Sequence, residues 1–526
     1  MGRAFMAHLS SRRRRALLAV PVGIALTASL GFLPGAASAT SQDAPTSATA
    51  ARTDGPSLSY VVNTTADKAT VNKVKKEIAK AGGSIVASYP KIGVIVVHAP
   101  ATGFAEKIRT VKGVQSAGST RTAPLTSAAT TDVGKPEKIK APRVTAQSEA
   151  KALAKGQEPL EPLQWDIPAI KADQAAKVNP GKKSVTVAVI DTGVDDTHPD
   201  LAPNFDRKAS ANCAGGVLDT SKGAWRPYVP ADDYHGTHVA GTIAAARNGV
   251  GVTGVAPGVK VSAIKVSDPK TGLFYAENVV CAFVFAAEKG VEVTNNSYYV
   301  DPWMFNCKDD LDQKAIVDAV GRAAKYAQDK GAVNVASAGN SNFDLGAKSI
   351  KDTSSPNDSQ AVGRDIDPTK CLDVPTQLPG VVTVSATGVN SLKSYYSNYG
   401  LHPSDAAGQI DVAAPGGDRR QVPELPAKDG RILSTLPEGD YGYLQGTSMA
   451  GPHVAGVAAL LRSAHPSSSP QEVQWLLKQQ ADNPGCPTAP YDPDGDGKVD
   501  ATCTGTKHVN SFYGYGIVDA LDAVQK

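Results

Sequence analysis

The sequence predicts an α/β protein, a mainly parallel sheet with helices on both faces, preceded by a small α+β unit. Three observations predict it. A continuous β-branched run over 185–190 ends in Asp191, Thr192 and Gly193, the pattern of a buried parallel strand with a carboxylate at its carboxyl edge. Two stretches rich in Gly and Ala, 235–246 and 446–461, suit helices packed closely against such a sheet. Further short apolar runs at 259–264, 291–295, 332–336 and 381–385 supply more strands.

The chemistry gathers around Gly446-Thr447-Ser448-Met449-Ala450-Gly451-Pro452-His453. A serine among small residues stands here at the mouth of a buried helix. Such a helix start offers unpaired N–H groups and a positive dipole end to a developing anion. A serine hydroxyl is a weak nucleophile and needs a base and an orienting acid. Both lie upstream, as Asp191 and as His235 in His235-Gly236-Thr237-His238. A strand-end Asp is often a turn former and a helix-start His often structural. The ordered set Asp, His, Ser carries the reading.

The blocks D-T-G-V…H-P-D-L, H-G-T-H-V-A-G-T and G-T-S-M-A-G-P-H-V-A-G resemble the subtilisin-like serine proteases, from about residue 165 to the end of the chain. The resemblance implies Ser448 as nucleophile, His235 as general base and then acid, and Asp191 as the orienting carboxylate. The match V-A-S-A-G-N, 335–340, implies Asn340 as an oxyanion donor beside the Ser448 backbone N–H. Protein or peptide substrates follow, with no cofactor for the chemistry. The family usually lines its cleft with S-L-G, where this chain has Ser297-Tyr298-Tyr299. Ser297 is expected to offer its backbone to an extended substrate, with Ala338 and Gly339 lining the same cleft. Tyr299 stands where a glycine is usual and is expected to narrow the pocket for the residue before the scissile bond; the alternative is that the tyrosines only rim the site. Segments 301–312 and 343–374 read as surface loops beside the cleft.

Two rival readings compete with this one. His235, His238 and His453 offer a metal set, but no acidic residue completes an H-E-x-x-H pattern, and His238 and His453 read as packing or hydrogen-bonding residues. A catalytically silent secreted binding protein on the same scaffold is the alternative function.

Charge and composition describe a precursor. Residues 1–160 carry 22 Lys and Arg against 9 Asp and Glu, and the remainder 32 against 42. A basic leader ahead of an acidic body suggests attraction between two parts of one chain. The basic part lacks aromatic interleaving, so nucleic-acid binding is not expected. Arg12 to Arg15, an apolar run and Ala37-Ser38-Ala39 make residues 1–39 a signal peptide. An uncleaved anchor is the rival reading, because the run is near spanning length. Export through the twin-arginine route is raised by the arginines and left open. The mature chain is expected outside the cell, soluble, monomeric and free of the membrane.

Residues 57–124 read as strand, helix, two paired strands, helix and strand, an order that fits a ferredoxin-like fold. The unit resembles the family's inhibitor propeptide, which implies that it occupies the cleft until removed; a permanent accessory domain is the other reading. Residues 125–160 read as a linker holding the maturation site, and 161–526 as the peptidase domain. The block 513–520 resembles the family's C-terminal end, and no added binding domain is expected.

All six cysteines (Cys213, Cys281, Cys307, Cys371, Cys486, Cys503) fall in the acidic body and imply disulfides in an exported chain. Six allow 15 pairings; closeness in sequence favours 486 with 503, then 307 with 371 and 213 with 281. Between the last two lies Asp492-Pro493-Asp494-Gly495-Asp496-Gly497-Lys498-Val499-Asp500, which copies the start of an EF-hand loop but has Cys503 where the bidentate Glu belongs. Structural calcium on Asp492, Asp494, Asp496 and Asp500 competes with a solvated acidic turn. The resemblance implies a second calcium site, with side-chain oxygens of Asp200 and Asn248 and backbone carbonyls of Ala246, Val250 and Val252.

Overall fold

The computed structural model describes residues 57–122, 134–139, 156–401 and 409–526. The expected signal peptide, 1–39, and most of the expected linker lie outside the described residues. No helix among the described residues is long and apolar enough to cross a membrane.

The first unit runs β1 (Ser57–Thr64), α1 (Lys68–Lys80), β2 (Ser84–Tyr89), β3 (Val94–Pro100), α2 (Phe104–Arg109) and β4 (Val114–Ser119). This is the predicted β-α-β-β-α-β order, in a sheet ordered β2-β3-β1-β4. Asp67 starts α1 by accepting from the Thr70 N–H (2.7 Å). Strand alternation gives the sheet two buried faces. Tyr60, Val62, Ile95 and Val97 pack on the apolar stripe Val71, Val74 and Ile78 of α1, whereas Val61 and Val94 join the core of the larger body. From the linker, Glu137–Ile139 forms β5, paired antiparallel with a strand described below.

The body begins with α3 (Asp166–Ala169), α4 (Ala172–Val178), β6 (Thr186–Asp191), β7 (Ala211–Asn212), α5 (His235–Ala244), β8 (Lys260–Lys265), α6 (Ala276–Lys289) and β9 (Val293–Asn296). It continues with β10 (Asn306–Cys307), α7 (Leu311–Asp329), β11 (Val333–Ser337), β12 (Ile350–Asp352), β13 (Arg364–Ile366), β14 (Cys371–Leu372) and β15 (Val381–Thr387). Then follow β16 (Val412–Pro415), β17 (Ile432–Leu436), β18 (Asp440–Leu444), α8 (Thr447–Ala464), α9 (Pro470–Gln479) and α10 (Asp522–Gln525). Seven strands form one sheet, ordered β16-β15-β11-β9-β6-β8-β7, with every pairing parallel. Within β6, Val187 and Val189 pack with α5 and α8 on one face, and Ala188 and Ile190 with α6 and α7 on the other. Burial on both faces is why these strands read as continuous apolar runs.

Segments 301–312 and 343–374 supply β10, the β12–β13 hairpin and β14. Disulfides join Cys213 to Cys281, Cys307 to Cys371, and Cys486 to Cys503. Cys307 and Cys371 stand directly opposite in the β10–β14 pair, so that bridge ties the two segments together.

Candidate active site

Asp191 is the last residue of β6 and His235 the first of α5, both essentially inaccessible to solvent. His235 Nδ1 lies 2.7 Å from Asp191 Oδ1 and 2.9 Å from Oδ2. Asp191 Oδ1 also accepts from the Thr192 N–H (2.7 Å), and the Gly236 N–H donates to Thr192 Oγ1 (3.1 Å), so strand end and helix start are stitched together. Gly236 makes the approach possible: a Cβ there would run into the Gly193 carbonyl and stand 3.1 Å from Asp191 Cβ. His235 Nε2 is buried and has no hydrogen-bond partner among the described residues.

Ser448 lies in the first turn of α8, which packs on α5. Pro452 in that helix has no N–H to give the Ser448 carbonyl, and Ser297 Oγ donates to it instead (3.2 Å). In return Ser448 Oγ donates to the Ser297 carbonyl (3.3 Å). The hydroxyl is therefore not hydrogen-bonded to His235 in this arrangement. Such contacts often tighten only when substrate is bound.

Asn340 follows β11. Its Oδ1 accepts from the Thr447 N–H (2.8 Å) and Thr447 Oγ1 (2.9 Å), which fixes the amide plane against the start of α8. Gly339 donates its N–H to Thr447 Oγ1 (3.1 Å). Asn340 stands where two cavities meet. One, of about 270 Å³, is lined by Ser297, Tyr298, Tyr299, Gly339 and Ser448 among others. The second contains Gly134, Lys135, Arg431 and Tyr443.

The two tyrosines part company. Tyr298 is buried, stacked on Phe274 with ring centres 5.0 Å apart, and its hydroxyl donates to Asn296 Oδ1 (2.9 Å). Tyr299 also borders the cavity, and its hydroxyl accepts from Asn357 Nδ2 (3.1 Å). Ala338 packs into a core cluster with Phe305 and Leu345 and does not border either cavity, because alternation along the chain turns it away. Asp373, which sequence reasoning missed, does border the first cavity. Its only signal was an isolated acid two residues beyond a cysteine.

His238 Nε2 reaches the Ile432 (3.1 Å) and Gly442 (3.0 Å) carbonyls, and burial pushes its pKa down to about 3. It therefore pins β17 and β18 to α5 as a neutral donor. His453 Nε2 lies 2.9 Å from Asp166 Oδ2, and its Nδ1 2.7 Å from the Met449 carbonyl. The three histidines do not form a metal set.

The residues expected to hold calcium divide into two places. Asp200 is fully buried, and its Oδ2 accepts from the Val252 N–H (3.0 Å) and the Tyr441 hydroxyl (3.0 Å). Its Oδ1 has no hydrogen-bond partner among the described residues, and burial pushes its carboxyl up to about 6. A buried carboxylate oxygen without a donor is what a cation would satisfy, so this place fits the ion. Ala246 joins it by donating its N–H to the Asp200 carbonyl (2.8 Å), and Asn248 Oδ1 accepts from the Val250 N–H (2.9 Å). In the exposed loop, Asp492, Asp494 and Asp496 converge within 4.8 Å. Asp500 is not in that group, its carbonyl accepts from Asn342 Nδ2 (3.1 Å), and Lys498 Nζ pairs with Asp496 (2.6 Å). That place fits only in part.

The first unit packs through β1 and β4 on α6 and α7. Asn63 Nδ2 donates to the Ala315 carbonyl (2.9 Å), Ser116 Oγ to Asp318 (2.6 Å), and Arg109 pairs with Asp312. Arg121 then lies over Tyr275, 3.8 Å from the ring centre, and reaches Glu277 (3.2 Å) and Asp268 (3.4 Å). The Thr122 N–H donates to Asp358 Oδ2 (2.9 Å), next to Asn357 in the cavity wall. Beyond the undescribed stretch, the Gly134 carbonyl accepts from the Tyr234 hydroxyl (2.7 Å), and β5 pairs with β18.

The chain is thus an α/β protein with a carboxylate–imidazole pair and a helix-start serine at the carboxyl edge of a parallel sheet. A family model described as the subtilase family matches residues 182–516, and the chain belongs to that family. Subtilisin DY of Bacillus licheniformis is 31% identical over 321 residues, 61% of this chain and 92% of that protein. Fervidolysin of Fervidobacterium pennivorans is 30% identical over 344 residues, 60% of this chain but only 40% of fervidolysin. The epidermin leader peptide processing serine protease of Staphylococcus aureus shares the fold, with a TM-score of 0.64 at 24% identity, over 89% of this chain and 98% of that one.

Proposed function

We propose that the protein is a secreted serine endopeptidase made as a zymogen. The observation that carries this reading is the pairing of Asp191 with His235 Nδ1 in a subtilase scaffold, with Nε2 buried and unpartnered among the described residues. In the reaction Ser448 Oγ turns from the Ser297 carbonyl and attacks the peptide carbonyl carbon, while His235 Nε2 takes its proton. Asp191 holds the imidazole by Nδ1 and stabilises the imidazolium that forms. The carbonyl oxygen becomes an oxyanion, met by the Ser448 backbone N–H and the Asn340 amide. Collapse breaks the C–N bond, His235 returns the proton to the departing amine, and an ester to Ser448 remains. Water, deprotonated by His235, then releases the acid and restores the hydroxyl.

Residues 57–124 act as the inhibitor and folding aid, and processing within 125–160 frees the domain at 161–526. Support comes from the position of Thr122 beside the wall of one cavity and of Gly134 and Lys135 in the wall of the next. Calcium bound by Asp200 and its neighbours would stiffen the 246–252 loop without entering the chemistry. The decisive experiment is fluorophosphonate labelling of the secreted protein. Ser448 is expected to carry the label, and Ser448→Ala to accumulate as unlabelled, unprocessed precursor. Absence of label on a folded, mature chain would leave the silent binding protein as the function.

A further inference from the structure

The wall of the cavity beside Ser448 contains a carboxyl group that the mechanism above does not use. Asp373 is 4% exposed, and its Oδ1 is buried with no hydrogen-bond partner among the described residues. The backbone around it is held independently, since the Asp373 N–H donates to Gln377 Oε1 (2.7 Å) and its carbonyl accepts from the Gln377 N–H (2.8 Å). Asp373 Oδ2 lies 3.8 Å from the point where a Cβ on Gly339 would stand, one residue before Asn340. Burial holds the carboxyl well above the usual range, with the Thr376 side chain opposing that shift.

Among the described residues no Lys or Arg lines the cavity to answer it. The same wall offers Tyr299 and Met304, apolar surfaces along which an alkyl stem can lie. An uncompensated buried carboxyl is costly, and an aliphatic or aromatic guest would leave it so. A guanidinium or ammonium would pair with it and supply the missing donors. The lining itself points to the substrate residue involved, because Ser448 and Asn340 stand in the same wall as Asp373. Thr122 approaches from the N-terminal side beside Asn357 in this wall, whereas Gly134 and Lys135 border the neighbouring cavity.

We infer that this cavity takes the side chain of a lysine or arginine whose own carbonyl Ser448 attacks, so that the enzyme cuts after basic residues, with Asp373 as the specificity-determining residue. The inference rests on the proposed endopeptidase activity and deepens it.

The test uses the mature enzyme and peptides differing only in the residue before the scissile bond (Arg, Lys, Leu or Phe), with active enzyme counted by fluorophosphonate titration. The expected result is a kcat/KM for Arg and Lys at least ~10-fold above Leu and Phe, and an Arg-to-Leu ratio that falls roughly 10- to 100-fold in Asp373→Asn. Benzamidine is expected to slow labelling of the wild-type enzyme, a measurement that stands even if the variant fails to mature. A labelled enzyme that cuts as well after Leu or Phe and ignores benzamidine would overturn the inference and leave the endopeptidase reading intact. If no label is taken up, that reading falls. Calorimetric titration with benzamidine then decides the pocket alone, with binding supporting the cation site and no binding refuting it.

Discussion

Asp191 meets the Nδ1 of His235 with both carboxylate oxygens, at 2.7 and 2.9 Å, in a site where neither side chain exceeds 2% exposure. A carboxylate held this way favours the tautomer with the proton on Nδ1; in the proposed mechanism Nε2 is then the nitrogen that takes the Ser448 proton. Asp191→Asn keeps the shape but can present an N–H to Nδ1, favouring the wrong tautomer. We expect kcat to fall by about 10⁴ with little change in KM. Steady-state kinetics on one peptide at neutral pH checks this, and a loss below tenfold would contradict it.

Asn340 is oriented by Thr447, which donates to its Oδ1 from both backbone and side chain. Removing the amide in Asn340→Ala is expected to lower kcat by about 10²–10³, with KM and melting temperature nearly unchanged. A purely structural asparagine would instead move the melting temperature and spare kcat.

His238 is kept neutral by burial, with its pKa pushed down to about 3 against 6.5 in an unfolded chain. Between those values the unfolded chain holds the extra proton. Stability therefore falls as pH is lowered from about 6.5 towards 3, and is unaffected by this group above that window. His238→Gln should flatten part of that decline. Melting curves from pH 7 to pH 4 with equal slopes in both proteins would refute the assignment.

Asp200 has the opposite sign. Its folded carboxyl titrates at about 6, above its ordinary value of 3.8, so without calcium the folded state holds more protons and stability drops as pH rises from about 4 to 6. Removing calcium with a chelator is expected to lower the melting temperature most above pH 6, and added calcium to restore it. Asp200→Asn should lose both the pH step and the calcium response. Unchanged inactivation in chelator would exclude a role for the ion here.

Gly118 of β4 faces α7 so closely that a Cβ would stand 2.7 Å from the Asp312 carbonyl oxygen. Any side chain must push strand from helix, since the obstacle is backbone. Residues 57–124 supplied in trans are expected to inhibit the mature enzyme, and Gly118→Val to raise the inhibition constant more than tenfold. Equal inhibition by both would show that this contact does not hold the segment in place.

Much of the molecule was legible before any coordinates. Continuous, largely apolar runs rich in β-branched residues over β6, β8, β9, β11 and β15 located the central sheet, because strands buried on both faces are mostly apolar. The helix stripe Val71, Val74 and Ile78 located α1 by its 3.6-residue spacing. Asp191, His235, Asn340 and Ser448 were legible as candidates because each sits at or just beyond the end of an element, within a motif that specifies the turn. Ala338 was read as lining the cleft, while its side chain packs with Phe305 and Leu345, because a motif names neighbours without saying which way each side chain points.

By itself the chain determined its elements, their order, the cysteines available for bridging and the residue types that meet at the sheet edge. Those follow from local periodicity and turn chemistry. Only the tertiary structure decided that His453 reaches Asp166 across 287 positions, that the Ser448 hydroxyl rests on the Ser297 carbonyl, and that Asp373 stands in the wall beside it. Such partnerships depend on which strand lies next to which. That order is settled by burying both faces of the sheet together, a sum over the whole chain that no short stretch contains.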